Sequence, residues 1–291
     1  MRALWLPLAC LSTGALAQPF VRTPVPGRDG ELCVTWNARQ LIWRVAEEGS
    51  ARTPGDTEYG AIDAAWAAWQ QAVSGCSDFE FIRGPRISAP PVADGSKDSN
   101  VLVFREALCR DVVAPEDPCL ADGSCVSQHG CWDYGESTIA ITRVSYSPRT
   151  GVITDADIEF NAANFLFTTV DSPPCAYGLE DVTCVAYDLQ NTATHEIGHV
   201  LGFAHVEDDP ESTMAPTAPL GETSKRRVDP GSALGLCQTY PRGRPPASCD
   251  PRNHGNVIAQ TVCASAGGAP AWLALLTWLL VQVSGLGWAV E

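Results

Sequence analysis

Three of the chain's five histidines lie close together in the segment THEIGHVLGFAH, which spans residues 194–205. His195 and His199 are four residues apart, so on a helix their imidazoles project from the same face about one turn apart. Such a pair can reach one zinc ion, with nitrogen–metal distances of about 2.0–2.1 Å. Glu196 lies about 100° around the helix from His195. There it can hydrogen-bond a metal-bound water without becoming a ligand itself.

A third ligand is predicted at His205. Gly202 follows His199 by three residues, and glycine tolerates the left-handed conformation that ends a helix. The chain can then turn back and bring His205 to the metal, leaving a fourth position open for water and substrate, as a catalytic zinc requires. Zinc lowers the pKa of a bound water towards about 7, and Glu196 can take its proton. Chance on an amphipathic helix and a metal site without catalysis are the alternatives.

Strands and two long helices are predicted to position this segment. Alternating or continuous apolar runs indicate short strands at 41–48, 78–83, 100–106, 137–142 and 153–160. A helix is predicted at 59–73 and a second at 187–202, because each carries apolar residues at spacings of three or four. This order indicates an α+β domain, a mixed sheet packed on helices, from about residue 31 to residue 241.

The bulk composition excludes some function classes. The net charge of −15 argues against nucleic-acid binding, which needs a basic surface. Residues 1–17 have the form of a secretory signal peptide, with Arg2, an apolar run and an Ala15-Leu16-Ala17 cleavage site. Lipidation at Cys10 is the alternative. Either form of export places the chain outside the cytoplasm, in an oxidising compartment, where disulfides persist.

The cysteines predict a disulfide-stapled domain. Of twelve, Cys10 leaves with the signal, and ten of the rest lie between Cys33 and Cys249, which is enough for five bridges. The dense loop between 105 and 135 needs such staples. Zinc binding by Cys119, Cys125 and Cys131 is less favoured, because none of them forms a Cys-x-x-Cys pair. Cys263 is the unpaired remainder.

The segments flanking the domain are predicted to be a short leader at 18–30 and a Pro- and Gly-rich linker at 242–268. Residues 269–291 are predicted to be a hydrophobic anchor or a sorting tail. Within them, Ala271–Val290 is an uncharged and mostly apolar stretch of a length that can span a bilayer. The alternative rests on Cys263 followed by Gly267-Gly268, which resembles the C-terminal sorting tails of myxobacterial exported proteins, although their final arginine cluster is missing.

The segment HEIGHVLGFAH resembles the His-Glu-x-x-His-x-x-Gly-x-x-His signature of the metzincin metalloproteases. Met214, nine residues after His205, resembles the methionine of their Met-turn. The order of the segments resembles the matrixin family most. The resemblance implies a metzincin-like zinc-peptidase domain, with a mixed twisted sheet packed on two long helices. It also implies a C-terminal helix over 229–240, with Asp229 as its cap and Pro230 at its first position.

The same resemblance implies a zinc-dependent endopeptidase that binds one catalytic Zn²⁺ through His195, His199 and His205. Glu196 would activate the water, and Met214 would support the site from below. A protein or peptide substrate would lie extended along the strand at 137–142, and the segment after Met214 would wall the specificity pocket. A monomer at the extracellular or cell-surface side is expected. The alternative is a catalytically silent zinc-binding module of the same fold.

The chain departs from the matrixin pattern in its histidines and its leader. Only His129 and His254 remain for the second, structural zinc of many matrixins, so no such site is predicted. A long pro-segment with a zinc-capping cysteine is not expected, although Arg22, Arg28 or Asp29 of the short leader could obstruct the cleft. Calcium is common in the family. The alternating run of Asp155, Asp157 and Glu159 is predicted to be either a Ca²⁺ site or a solvated strand face.

Overall fold

The computed structural model describes residues 20–28, 31–88, 100–249 and 252–253, the last two by their backbone only. The strands are β1 (Phe20–Arg22), β2 (Gln40–Val45), β3 (Glu80–Arg83), β4 (Val101–Phe104), β5 (Ala140–Tyr146), β6 (Ile153–Phe160), β7 (Phe167–Thr168), β8 (Tyr187–Asp188), β9 (Phe203–Ala204) and β10 (Arg252–Asn253). The α-helices are α1 (Thr57–Val73), α2 (Cys109–Val112), α3 (Cys119–Asp122), α4 (Cys125–His129), α5 (Leu189–Val200) and α6 (Pro230–Thr239). Short 3₁₀ turns occupy Pro54–Asp56 and Ser224–Arg226.

A five-stranded mixed sheet in the order β3-β2-β4-β6-β5 forms the centre of the fold. Four strands are parallel, and β5 pairs antiparallel with β6, with Ala140 opposite Phe160 and Thr142 opposite Ile158. Since β5 ends the sheet, its other edge has no strand partner among the described residues. The mixed sheet with its helices confirms the predicted fold class.

Helices α1 and α5 pack against each other beside this sheet. The helical spacing in α1 buries the predicted face, which consists of Ile62, Ala65, Trp66, Trp69 and Val73. The indole Nε1 of Trp69 donates a hydrogen bond of 2.8 Å to the carbonyl of Thr194 in α5. This bond satisfies a buried indole N–H and fixes α5 against α1 at the point where the histidines begin.

The edge strand β5 differs from its prediction at 137–142. The strand begins at Ala140 and continues to Tyr146, so it lies opposite nearly all of β6. Arg143 and Ser145 interrupt the apolar alternation, and for this reason the predicted strand ends four residues before the observed one. All seven residues of β5 are only half-buried, as expected for an edge strand with one open side.

The predicted leader at 18–30 is partly integrated into the fold. Strand β1 pairs antiparallel with β9, with Val21 opposite Ala204, and the Phe20 side chain is 1% exposed. Arg22, which was expected to be a candidate for obstructing the cleft, donates from Nη1 to the carbonyls of Ala247 and Ser248. It does not line the cleft, so that expectation is wrong for Arg22. A three-residue strand is too short to show a period in the sequence.

The ten cysteines between Cys33 and Cys249 form five disulfides, which confirms the prediction. The pairs are Cys33–Cys249, Cys76–Cys237, Cys109–Cys131, Cys119–Cys125 and Cys175–Cys184. Two of them staple the loop between 105 and 135. The bridge to Cys249, together with the Arg22 hydrogen bonds, fixes residues 247–249 to the domain, although the linker was predicted to begin at 242. Cys10 and Cys263 lie outside the described residues.

No helix within the described part of the chain is long and apolar enough to cross a membrane. The predicted signal peptide at 1–17 and the predicted anchor or sorting tail at 269–291 lie outside the described residues. Both therefore stay predictions.

The acidic run of β6 is buried, so its interpretation as a solvated strand face is wrong. Asp155, Asp157 and Glu159 are each at most 1% exposed. Protein groups approach all three: the Asn100 and Val101 amides donate to the two aspartates, and Arg105 Nε lies 2.6 Å from Glu159 Oε2. The calcium alternative for these residues stays a prediction.

The burial of Asp157 makes the folding stability of the protein dependent on pH. Desolvation, with smaller contributions from neighbouring Asp155 and Glu159, raises the pKa of Asp157 from 3.8 to about 7 against the opposing Val101 amide. The folded state therefore holds a proton that the unfolded state releases near pH 4. This contribution to stability is complete below the unfolded pKa and is lost as the pH rises through about 7.

We therefore expect Asp157→Asn, whose amide resembles the protonated carboxyl, to flatten the pH dependence of folding stability. Between pH 5 and pH 8, the wild type should lose about 2–3 kcal/mol more free energy of unfolding than the variant. Urea unfolding of both proteins at the two pH values measures this difference. Equal losses in the two proteins would refute the assignment.

Candidate metal centre

The histidine-bearing helix α5 is anchored at its first residue by Asp188. One carboxylate oxygen of this N-cap accepts the Asn191 amide at 2.8 Å, and the other lies 2.5 Å from Arg226 Nη2. The cap satisfies an amide that would otherwise lack a partner at the helix start. Its cap and its buried apolar face fix both the start and the rotation of α5, and thereby the direction of His195 and His199.

Gly202 ends the helix as predicted. Its φ is +90°, and a Cβ at this position would lie 2.7 Å from the carbonyl oxygen of Val34. A side chain is therefore disfavoured by both backbone conformation and space. After this turn, β9 pairs with β1, and Thr23 donates its amide to the Gly202 carbonyl at 2.9 Å. The N-terminal strand thus holds the segment that leads to His205.

The three imidazoles converge on one point. One ring nitrogen of each histidine lies within 4.8 Å of the others, and the Nε2 atoms of His199 and His205 are 3.1 Å apart. His195 Nδ1 lies 2.7 Å from the Thr213 carbonyl, and His199 Nδ1 lies 2.8 Å from the Phe203 carbonyl. A carbonyl only accepts hydrogen bonds, so both Nδ1 atoms carry the proton and both Nε2 lone pairs are available.

The histidines are held in their neutral form, which is the form that ligates metals. Desolvation lowers the pKa of His195 well below its ordinary value and also lowers the pKa of His199 and of His205. Three neutral imidazoles, two of them with Nδ1–H···carbonyl bonds, match the donor set and the outer hydrogen bonds of a zinc site. The residues present therefore fit a zinc ion.

Met214 lies directly beneath α5. A Cβ on Gly198 would approach the Met214 sulfur to 2.1 Å, so the missing side chain of this glycine creates the space for the thioether. The surrounding turn also touches two histidine segments: the Thr213 carbonyl binds His195, and the Met214 carbonyl accepts the Val206 amide at 2.9 Å. The turn is thus a support for the floor of the site.

The same turn is tied to the last helix through Asp229. As predicted, this residue caps α6, accepting from the amides of Gly231 and Ser232 at 2.7 and 3.1 Å. Its other oxygen accepts the Thr213 amide at 2.8 Å. One carboxylate therefore links the start of α6 to the residue that orients His195.

Glu196 is 6% exposed and borders the cleft between α5 and β5. Its Oε2 accepts a hydrogen bond of 2.6 Å from the hydroxyl of Thr142, and burial raises its pKa to about 7. The role of Thr142 could not be predicted from the sequence, since this residue lies 54 residues from Glu196 and has no local signature.

An open cleft of about 970 Å³ runs past the histidines. It is lined by β5, by α5 and by residues 215–219, which lie within the segment predicted to wall the pocket. Lys225 reaches the same cleft although it is 3% exposed, because its Nζ is held by Glu222 at 2.9 Å and by the Thr217 carbonyl at 2.5 Å. Its only signal in the sequence was rarity: the chain has two lysines.

Among the described residues, a second group of metal-binding residue types consists of Asp117, Cys119 and His129. The sulfur of Cys119 is bonded to Cys125, so it is unavailable as a thiolate ligand. His129 Nε2 lies 3.8 Å from Asp117 Oδ2 within the disulfide-stapled loop. Asp155, Asp157 and Glu159 also lie away from the cleft, since none of them lines it.

The histidine segment lies within a match to a known protein family. Residues 133–241 match the family model of the matrixins. The match includes the three histidines, Glu196, Gly202 and Met214, and it extends from before β5 to the end of α6. A comparison with curated proteins gave no match.

Proposed function

Because the match over residues 133–241 identifies this chain as a matrixin-like metzincin, we propose that it is a zinc-dependent endopeptidase. The observation that supports this most strongly is the convergence of His195, His199 and His205, with their ring nitrogens within 4.8 Å, beside Glu196 in an open cleft. We assign these three histidines as ligands of one catalytic zinc. Glu196 is the general base, and Met214 supports the ligands.

The chain's own residues divide the chemistry between them. A zinc ion held by the three histidines would act as a Lewis acid towards a peptide carbonyl, and it would also lower the pKa of a bound water. Glu196 accepts a proton from the attacking water and returns it to the leaving amine. Its position between two histidines of one helix keeps it near the reacting atoms, while its burial keeps bulk water from competing for the proton.

The substrate is proposed to be an extended segment of a protein. The outer edge of β5 faces the cleft, and its backbone N–H and C=O groups have no strand partner among the described residues. A peptide that adds to this edge gains main-chain hydrogen bonds with little dependence on sequence. Side-chain selection then falls to the wall at 215–219 and to the cavity that contains Lys225.

Export is proposed from the signal-like residues 1–17 and is supported by the five disulfides, which persist in oxidising compartments. Retention at the cell surface by residues 269–291, as an anchor or a sorting tail, stays a prediction. Mass spectrometry of the mature C-terminus distinguishes a retained tail from a processed one.

An assay with an internally quenched peptide tests the proposal against a silent zinc-binding module. We expect the zinc-loaded chain to cleave the peptide, a chelator to stop the reaction, and added zinc to restore it. A chain that binds zinc but cleaves neither peptides nor unfolded proteins would be a binding module, and the endopeptidase proposal would be wrong.

A further inference from the structure

Strand β5 contributes more than backbone to the cleft, because its residue Thr142 contacts Glu196 twice. The Thr142 hydroxyl lies 2.6 Å from Glu196 Oε2 and 3.1 Å from the Glu196 backbone carbonyl. A hydroxyl has one proton, and a carboxylate is the stronger acceptor, so the shorter contact is the dominant bond. The pairing of Thr142 with Ile158 fixes the backbone from which this hydroxyl projects.

We propose that Thr142 is a positioning residue for Glu196, an inference that rests on the proposed endopeptidase function. A glutamate side chain has three rotatable bonds, and holding it in one orientation costs conformational entropy. The hydroxyl of Thr142 fixes Oε2 and thereby the plane of the carboxylate. No described residue hydrogen-bonds Oε1, which is then the oxygen that accepts the proton of the attacking water.

The contact between Thr142 and Glu196 matters for catalysis because proton transfer requires the base to lie at a defined distance from the proton. A general base works only within hydrogen-bond reach of its proton, about 2.6–3.2 Å. Without the hydroxyl, Glu196 would lie in a nearly dry environment with no described side-chain donor to its carboxylate. The carboxylate would then rotate towards solvent in the cleft, away from the histidines.

Two substitutions separate the hydroxyl from the shape of the side chain. Thr142→Val keeps the volume and the β-branching but removes the donor, while Thr142→Ser keeps the donor and removes the methyl group. Each zinc-loaded variant is to be crystallised and also assayed with the quenched peptide. The crystal structures report the position of Glu196 independently of activity.

In Thr142→Ser we expect the Glu196 carboxylate to stay within hydrogen-bond distance of the hydroxyl, with kcat within about threefold of the wild type. In Thr142→Val we expect the carboxylate to be displaced or to occupy several conformers. The kcat of this variant should fall about 10- to 100-fold, with KM and zinc content nearly unchanged.

An undisplaced Glu196 carboxylate in Thr142→Val would overturn the proposal, as would equal losses of kcat in the two variants. A failure of the proposed function has a different signature, since the wild type would then cleave nothing. In that case the position of Glu196 in the two crystal structures still decides whether Thr142 holds it.

Discussion

The variant Glu196→Gln is expected to lose peptidase activity by about 10²- to 10⁴-fold while it keeps its zinc. The amide has the size of the carboxylate and can still accept the Thr142 hydrogen bond, so the cleft keeps its shape. It cannot, however, take a proton from water near neutral pH. Two of the three imidazoles, those of His195 and His199, do not depend on Glu196 for their orientation, because the Thr213 and Phe203 carbonyls hold them.

Quenched-peptide kinetics, with metal analysis of the same sample, measures both halves of this expectation. Glu116→Gln is the matched control, since this exposed glutamate lies in the disulfide-stapled loop away from the cleft. The control should cleave at the wild-type rate. Wild-type turnover by Glu196→Gln would remove Glu196 from the mechanism, and a loss of zinc from this variant would make it a ligand instead.

The variant Gly202→Ala is expected to weaken both folding and zinc binding. Its φ of +90° is unfavourable for alanine, and its Cβ would lie 2.7 Å from the Val34 carbonyl, which belongs to rigid backbone. The conformational strain and the clash together should cost about 2–5 kcal/mol of unfolding free energy. The backbone must move to relieve the clash, and His205 moves with it, so zinc affinity falls as well.

Gly178→Ala is the matched control, because Gly178 also has a positive φ, +76°, but has open space where a Cβ would be added. It should cost only about 1–2 kcal/mol and leave zinc affinity unchanged. Urea unfolding and a zinc competition titration compare the two variants. If Gly202→Ala behaves like the control, then neither the Val34 contact nor the turn at Gly202 determines where His205 lies.

The histidine site was predictable because its information is local. His195, His199, Gly202 and His205 are within eleven positions, and helix geometry alone brings the first two together. The groups that orient these residues reach them through tertiary contacts. The Thr213 carbonyl, the Thr142 hydroxyl and the pairing of β1 with β9 all reach the site from distant parts of the chain, where no sequence period marks them.

The fold was predictable where a period was long and consistent. The tryptophan-bearing face of α1 and the Asp229 cap of α6 have clear signals, and both are observed. Alternation was not sufficient for β6, because one of the two interpretations that it allowed for Asp155, Asp157 and Glu159 was a solvated face, whereas in the structure all three are buried. An alternating pattern identifies the two faces of a strand. Whether the polar face is exposed to solvent depends on the neighbouring segments that cover it, which the pattern does not show.

The most direct test of the central claim is digestion of an unfolded protein by the zinc-loaded chain, with the products identified by mass spectrometry. We predict cleavage at internal peptide bonds, no cleavage after chelation, and recovery on addition of about one zinc per chain. Intact substrate after incubation with a chain shown to hold its zinc would contradict the account.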